Sequence, residues 1–592
     1  MGIAVVLVLL AFAILNFALE WIAIEVFSIL LMATLVVARI LTPQEAFQGF
    51  ANSAVIMIGG VMILTGGIIQ NGAADVIASR IAQLAGTSEG RMGTLLLGAV
   101  NAISAFINNV AATAMFIPVV EGMARRFGVS RGKYLIPIAF ASMTGGMCTL
   151  IGTSTNVAVA GALQQYGLQP LGFFELTPVG IAVALVGMPY LLWIAPRLIG
   201  RKEDEDPERA YGLKGFLFEV VIQAGSPVAD ATLLKADLGG RFGLTVLAIV
   251  RGSERIVSPH GDEHLRAGDL LLVEGEARTI PAVHGAPGLE IKSMPSLDRV
   301  AMEVEHVKMM EATVSYNSPF LGRSLQEINF RHRFDLSVLA IHRRGEPLVE
   351  KVGKIPLKAG DVLLAYGREE AFDSLAQEQT MLLVESASDT KVHVRKALVA
   401  SGVFLLAIIV SGLGWLDSPT AFLTGAGLVM LFRCLTAEEA GSYLNFRFLV
   451  MLAGMASLGM AMEQSGAAIF LARGIVQLLG VSQPLLLLSV FFVLTVVLTQ
   501  PLNNAAAALL VLPIGIHAAR DIGIDPRAFA IAITLAASCS FITPFEPACL
   551  LVYSTGHYRF RDFITAGSLL TLIAFAICLV LIPILWPFHP AA

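Results

Sequence analysis

Two asparagine pairs, Asn108-Asn109 and Asn503-Asn504, interrupt long apolar stretches, and each is followed at the same spacing by a proline, Pro118 and Pro513. An asparagine amide offers an oxygen to a cation and an N–H to an anion, so either ligand class suits these positions. A second pair of polar interruptions follows each first one. Five of the six residues in Ile151-Gly152-Thr153-Ser154-Thr155-Asn156 are small or polar inside Tyr134–Leu163, and Phe541-Ile542-Thr543-Pro544-Phe545-Glu546-Pro547 places a carboxyl group between two prolines. Unwound carbonyls and hydroxyls ligate hard cations, and the positive N-terminus of a half-helix suits an anion. Glu546 is the sharpest single residue, because a carboxylate at membrane depth is costly and marks function by default. The structural alternative is a carboxyl neutralised by hydrogen bonds at the membrane edge.

These residues need elements that hold polar groups inside an apolar medium. Of the 592 residues, 56% are hydrophobic and 14% charged, with a mean hydropathy of +0.75. Soluble domains carry about 25% charged residues, so the bilayer is the expected solvent. The net charge of -5 carries no nucleic-acid signal. The five cysteines, Cys148, Cys434, Cys539, Cys549 and Cys578, lack paired spacing and read as small buried hydrophobes rather than a disulfide framework or zinc site. Ile3–Leu19 and Trp21–Leu41 read as two retained helices, not as a signal peptide.

The stretch Met92–Met123 would reach about 48 Å as one straight helix, against a hydrocarbon core of about 30 Å. A tilted helix with buried amides is one solution. A re-entrant hairpin turning at Asn108-Asn109 is the preferred reading, and Pro484–Ile516 repeats the argument around Gln500-Pro501-Leu502-Asn503-Asn504. Pro544 and Pro547 break the helix around Glu546.

From Arg201 to about Lys391 the sequence turns charged and alternating, a soluble block between membrane segments. Arg197, Arg201 and Lys202 lead in and Lys391, Arg395 and Lys396 lead out, which favours a cytoplasmic position for the block.

Two internal repeats organise the chain. Thr65–Ala74 returns as Gly459–Ala468, Ile81–Gly86 as Ile475–Gly480, and the asparagine pairs follow in the same order. The membrane part is therefore two related halves, with a site expected at their interface. Inside the soluble block, Arg241-Phe242 through Leu272 matches Arg333-Phe334 through Leu364, including Ala267-Gly268-Asp269 against Ala359-Gly360-Asp361. Strand-like runs bounded by turns make this a pair of small α/β modules.

Hairpins with asparagine tips, each followed by an Ile-Gly-Thr-x-x-Asn type of unwound helix, resemble the divalent anion/sodium symporter permeases of the ion transporter superfamily. The soluble modules resemble the C-terminal subdomains of potassium-uptake regulators, the TrkA-C or RCK-C type. The resemblance implies an all-α polytopic membrane protein with inverted repeats and re-entrant hairpins, carrying a cytosolic α/β insertion of two tandem TrkA-C-like modules. The expected divisions are 1–200, 213–293, 303–386 and 395–592. It further implies a homodimer in the cell inner (plasma) membrane, working by an elevator mechanism. The implied function is sodium-coupled uptake of a small divalent anion, with a small regulatory ligand or a dimer contact at the modules. Sodium would bind at Asn108, Asn109, Gly152 and Thr153, and again at Asn503, Asn504, Thr543 and Glu546. The anion would lie between the tips, among Asn108, Asn109, Thr153, Ser154, Thr155, Asn156, Asn503, Asn504 and Pro544.

Where the family motif has threonine, this chain has Val110 and Ala505. Two substrate hydroxyls are thus missing, which favours sulfate or a related oxyanion over a dicarboxylate. Glu546 leaves open a proton in place of sodium, and with it a proton-coupled or antiport-type transporter of dicarboxylate or arsenite. A potassium-transport protein is a weaker alternative, because neither half holds a TVGYG-like filter. The absence of G-x-S-x-G, H-E-x-x-H and G-x-G-x-x-G argues against an enzyme and against nucleotide sensing.

Overall fold

The computed structural model describes residues 2–19, 21–71, 88–127, 129–199, 215–242, 244–252, 254–257, 259–276, 287–293, 307–314, 318–343, 346–348, 352–358, 360–377, 381–383, 394–479, 483–556 and 558–589. Residues 72–87, which hold the Ile81–Gly86 copy of the repeat, lie outside them. The chain divides into two units. One comprises 1–201, 389–552 and 560–592, and the other 202–388 with 553–559.

The first unit is helical and built as two equivalent series. The N-terminal series runs α1 (Gly2–Leu19), α2 (Ile24–Val37), α3 (Pro43–Phe47), α4 (Ser53–Gln70), α5 (Glu89–Ser104), α6 (Asn109–Phe127), α7 (Leu135–Gly146), α8 (Ser154–Leu163) and α9 (Thr177–Pro189). The last continues through a widened turn at Tyr190–Ile194 to Ala195–Ile199. The C-terminal series runs α10 (Val394–Gly412), α11 (Ser418–Leu431), α12 (Ala437–Tyr443), α13 (Phe446–Ser465), α14 (Ala467–Leu479), α15 (Pro484–Thr499), α16 (Asn504–Asp521), α17 (Arg527–Ala537), α18 (Pro547–Thr555) and α19 (Phe560–Leu585). Among the described residues, five helices are long and apolar enough to cross a membrane.

The repeat reaches down to helix caps. Thr42 and Glu45 form a capping box on α3, and Thr436 and Glu439 form the same box on α12. Asn52 caps α4 through Ala54 N, and Asn445 caps α13 through Phe448 N. The halves then interlock at small residues that let backbones touch. A Cβ on Gly60 of α4 would stand 2.8 Å from the Phe422 backbone of α11, and one on Gly454 of α13 would stand 2.7 Å from Ser28 of α2. An ion pair ties the series together outside the bundle core. Arg527 holds both Glu175 oxygens at 2.8 and 2.5 Å, and Trp586 Nε1 donates to the same carboxylate at 3.2 Å.

The second unit contains two five-stranded antiparallel sheets. The strands are β1 (Gly215–Ile222), β2 (Thr245–Arg251), β3 (Glu254–Val257), β4 (Leu270–Glu276), β5 (Leu289–Ser293), β6 (Val307–Val314), β7 (Leu336–Arg343), β8 (Glu346–Leu348), β9 (Val362–Arg368) and β10 (Met381–Leu383). Their orders, β3-β2-β4-β1-β5 and β8-β7-β9-β6-β10, are the same topology twice. Even the register shift recurs, between Val246 and Ala248 and between Val338 and Ala340. Each sheet buries a separate apolar core, around Ile249 and Val273 in one and Ile341 and Leu363 in the other.

Each module closes with the same buried fork. Arg251 Nε and Nη2 hold Asp269 at 2.9 and 2.8 Å, and Arg343 holds Asp361 at 2.7 and 2.7 Å. Burial alone would raise the Asp269 carboxyl. The bonds from Arg251 and the Arg266 amide overcome that and hold it below the usual carboxylate range. Its stabilisation is therefore complete above the unfolded carboxylate value of about 3.9 and is lost as pH falls through the depressed folded value. Asp269→Asn should cost the first module about 2 kcal/mol at neutral pH and flatten its acid-side loss. Hydrogen exchange of β2 and β4 in the intact protein measures both.

Candidate functional site

Both asparagine pairs open the second arm of a helical hairpin. In the first, α5 and α6 pack together and join through residues 105–108. In the second, α15 and α16 join through residues 500–503. The asparagines stand at the end of each turn, because the first of each pair caps the following helix. Asn108 Oδ1 accepts from Val110 N at 2.8 Å, and Asn503 Oδ1 accepts from Ala505 N at 3.0 Å. The second of each pair is the first helical residue and turns back across the tip. Asn109 Oδ1 accepts from Ser104 Oγ and Asn504 Oδ1 from Thr499 Oγ1, both at 2.9 Å. Ser104 and Thr499 were not singled out in the sequence. Their signal was there, a hydroxyl five residues before the second asparagine in both halves.

The helix after each hairpin is broken, between α7 and α8 over residues 147–153 and between α17 and α18 over residues 538–546. Thr149 Oγ1 donates to Ala105 O, and Thr543 Oγ1 donates to Gln500 O at 3.1 Å. Ala105 and Gln500 open the two equivalent turns. By geometry, Thr543 therefore answers Thr149 rather than Thr153. Asn156 Nδ2 closes the first break by donating to Gly146 O at 3.1 Å and Thr149 O at 2.8 Å. The Gln500 amide does this work in the second, donating to Cys539 O at 3.2 Å and accepting from Thr543 N at 3.2 Å. Pro544 is buried within that break.

Ser154, Thr155 and Asn156 are helical, not unwound, since Thr153 caps α8 through Thr155 N at 3.4 Å. Glu546 is the cap of α18. Its Oε2 accepts from Ala548 N at 2.7 Å and Cys549 N at 3.2 Å, and the Asn109 side chain also hydrogen-bonds the carboxyl. Glu546 thus reaches across to the first hairpin.

Four neutral oxygens pack closely around the contact between Gly146 and Gly152 in the first half. A Cβ on Gly152 would stand 2.6 Å from Gly146 O and 3.0 Å from Ala105 O. A Cβ on Gly146 would collide with Asn109 Oδ1 and lie 3.2 Å from Gly152 O. Only glycine fits at either position, and carbonyl and amide oxygens suit a hard cation. Thr155 Oγ1 and Asn156 Oδ1 on α8, and Ser540 Oγ in the second break, are buried without a hydrogen-bond partner among the described residues. Such atoms are costly unless something fills the space beside them. Among the described residues no cluster of three His, Cys, Asp or Glu could hold a metal. A cavity of about 540 Å³ lies elsewhere, lined by Asn52, Ser53, Gln164, Gln165, Asp417 and Thr420.

Residues 14–536 match the family described as citrate transporter, CitMHS. The chain is 33% identical to the uncharacterized transporter sll0640 of Synechocystis, covering 96% of this chain and 95% of that one. It is 30% identical to the uncharacterized transporter YfbS of Escherichia coli, covering 98% and 99%. A protein of Chlamydomonas reinhardtii named sodium/sulfate cotransporter 2 is 23% identical, covering 96% of this chain and 87% of that one.

The oxygen cluster makes Gly152 a direct test. Gly152→Ala puts a methyl group against Gly146 O and Ala105 O and should weaken the response to sodium by roughly tenfold or more. Unfolding temperatures of the purified wild type and variant, titrated with sodium, measure it.

Proposed function

The chain belongs to the citrate transporter family, so it is a multi-pass secondary anion transporter and not an enzyme, and from that premise we propose that it couples sodium to uptake of a small divalent oxyanion, sulfate. The observation that carries the sodium reading is the cluster of Ala105 O, Gly146 O, Gly152 O and Asn109 Oδ1 packed around Gly146 and Gly152. Four neutral oxygens with no carboxylate among them favour a monovalent cation over a divalent one. Asn108 and Thr153 flank this site. Asn503, Asn504 and Thr543 belong to its counterpart, and Glu546 stands beside it as the cap of α18.

The anion binds where half-helices begin, with Ser154, Thr155, Asn156 and Pro544 beside the asparagine tips. Val110 and Ala505 remove two hydroxyls that a larger carboxylate substrate would use. A relative of nearly full-length overlap, named for sodium and sulfate, supports the same choice. The protein works as a homodimeric elevator in the inner membrane, divided at 1–200, 213–293, 303–386 and 395–592, with TrkA-C-like modules in the cytoplasm as a ligand-responsive or dimer-forming insertion.

A second reading rests on Glu546, a buried carboxyl that makes proton coupling chemically available. Proteoliposomes separate the two. Labelled sulfate should accumulate under an inward sodium gradient at fixed pH and fail to accumulate under a pH gradient without sodium. The opposite pattern overturns sodium coupling in favour of the proton.

A further inference from the structure

The two half-helix N-termini that follow the breaks are chemically unequal. At α8 the cap is short, and Thr153 Oγ1 reaches a single amide at 3.4 Å. Behind it, Thr155 Oγ1 and Asn156 Oδ1 are fully buried and have no partner among the described residues. The Asn156 orientation is set by its two donated bonds to Gly146 O and Thr149 O. This end therefore keeps one hydroxyl free to donate to an oxyanion and one amide oxygen free to face an accompanying cation.

At α18 the corresponding groups are already used. Glu546 Oε2 takes both Ala548 N and Cys549 N, and the Asn109 side chain hydrogen-bonds the same carboxyl group. Glu546 itself is 9% exposed. A carboxyl on a helix N-terminus sits where a substrate carboxylate would be received. An incoming second carboxylate would have to displace it or lie beside it.

We propose that Glu546 is a built-in occupant of the second half-site and so a specificity-determining residue. It restricts the substrate to one compact oxyanion held at the α8 end and turns away dicarboxylates and tricarboxylates that need both ends. The proposal rests on the sulfate reading above and adds the reason for it. In a family named for citrate, this chain carries one of the carboxyl groups itself.

The test is the shift in unfolding temperature of the purified full chain in sodium buffer, with sulfate or succinate added. The wild type should be stabilised by sulfate and not by succinate. Glu546→Ser and Glu546→Asn keep a capping oxygen on α18 but vacate the space beyond it. Both should gain a succinate response, with succinate binding strengthened relative to sulfate by roughly tenfold or more. Glu546→Gln keeps the space filled and should remain blind to succinate. Three results overturn the proposal: a wild type stabilised equally by succinate, Ser and Asn variants that fold but stay blind to it, or a Gln variant that gains as much as they do. A wild type that answers to neither anion strikes the sulfate reading first, and the proposal with it.

Discussion

A helix that stops inside hydrocarbon leaves amides and carbonyls that no water can reach, and each must be closed by another part of the protein. This chain stops helices at two hairpin tips and two breaks, so tips and breaks must close one another. Thr149 closes the Ala105 carbonyl at the first tip, and Thr543 closes the Gln500 carbonyl at the second. Asn156 bridges carbonyls across the first break, and Gln500 ties Cys539 to Thr543 across the second. The neighbouring helices are held close by glycine. A Cβ on Gly180 of α9 would meet the Cys148 backbone at 2.6 Å, and one on Gly567 of α19 would collide with Phe541 O. The site is what remains when that closure is left incomplete in a few places.

That incompleteness is lopsided. Beside the first break, oxygens crowd around Gly146 and Gly152, and Thr155 Oγ1 and Asn156 Oδ1 lack partners among the described residues, whereas the second fills its cap with Glu546. The two are joined through Asn109, whose oxygen packs against Gly146 while its side chain also hydrogen-bonds the Glu546 carboxyl. A repeat built for structural economy thus carries two different chemistries at one centre. The β-sheet unit behaves differently. Its two sheets share strand order, register shift and the Arg–Asp fork, and the fork is a packing device in both.

Much of this was legible along the chain. The asparagine pairs, the prolines, the charged insertion and the repeated Ala-Gly-Asp turns are local signals, and length against bilayer thickness turns a long apolar run into a hairpin. The caps of α3 and α12 were equally local, as Thr-x-x-Glu in both halves, and went unread because they lie outside the chemistry. Ser104 and Thr499 went unread because a hydroxyl gains meaning only from what it faces.

By itself, then, the sequence determined the duplicated architecture, the hairpins and breaks, and the residue types that crowd around them. Period, spacing and hydropathy act within one segment, and those features need nothing more. The tertiary structure alone decided which residues correspond. Thr153-Ser154-Thr155-Asn156 and Thr543-Pro544-Phe545-Glu546 look like matched motifs, yet in space Thr543 stands with Thr149, and Glu546 occupies the capping place of Thr153. The second break is the longer of the two, so equal spacing in sequence does not give equal position. The contact between Asn109 and Glu546 joins residues of opposite halves, and only the packing of one half against the other could bring them together.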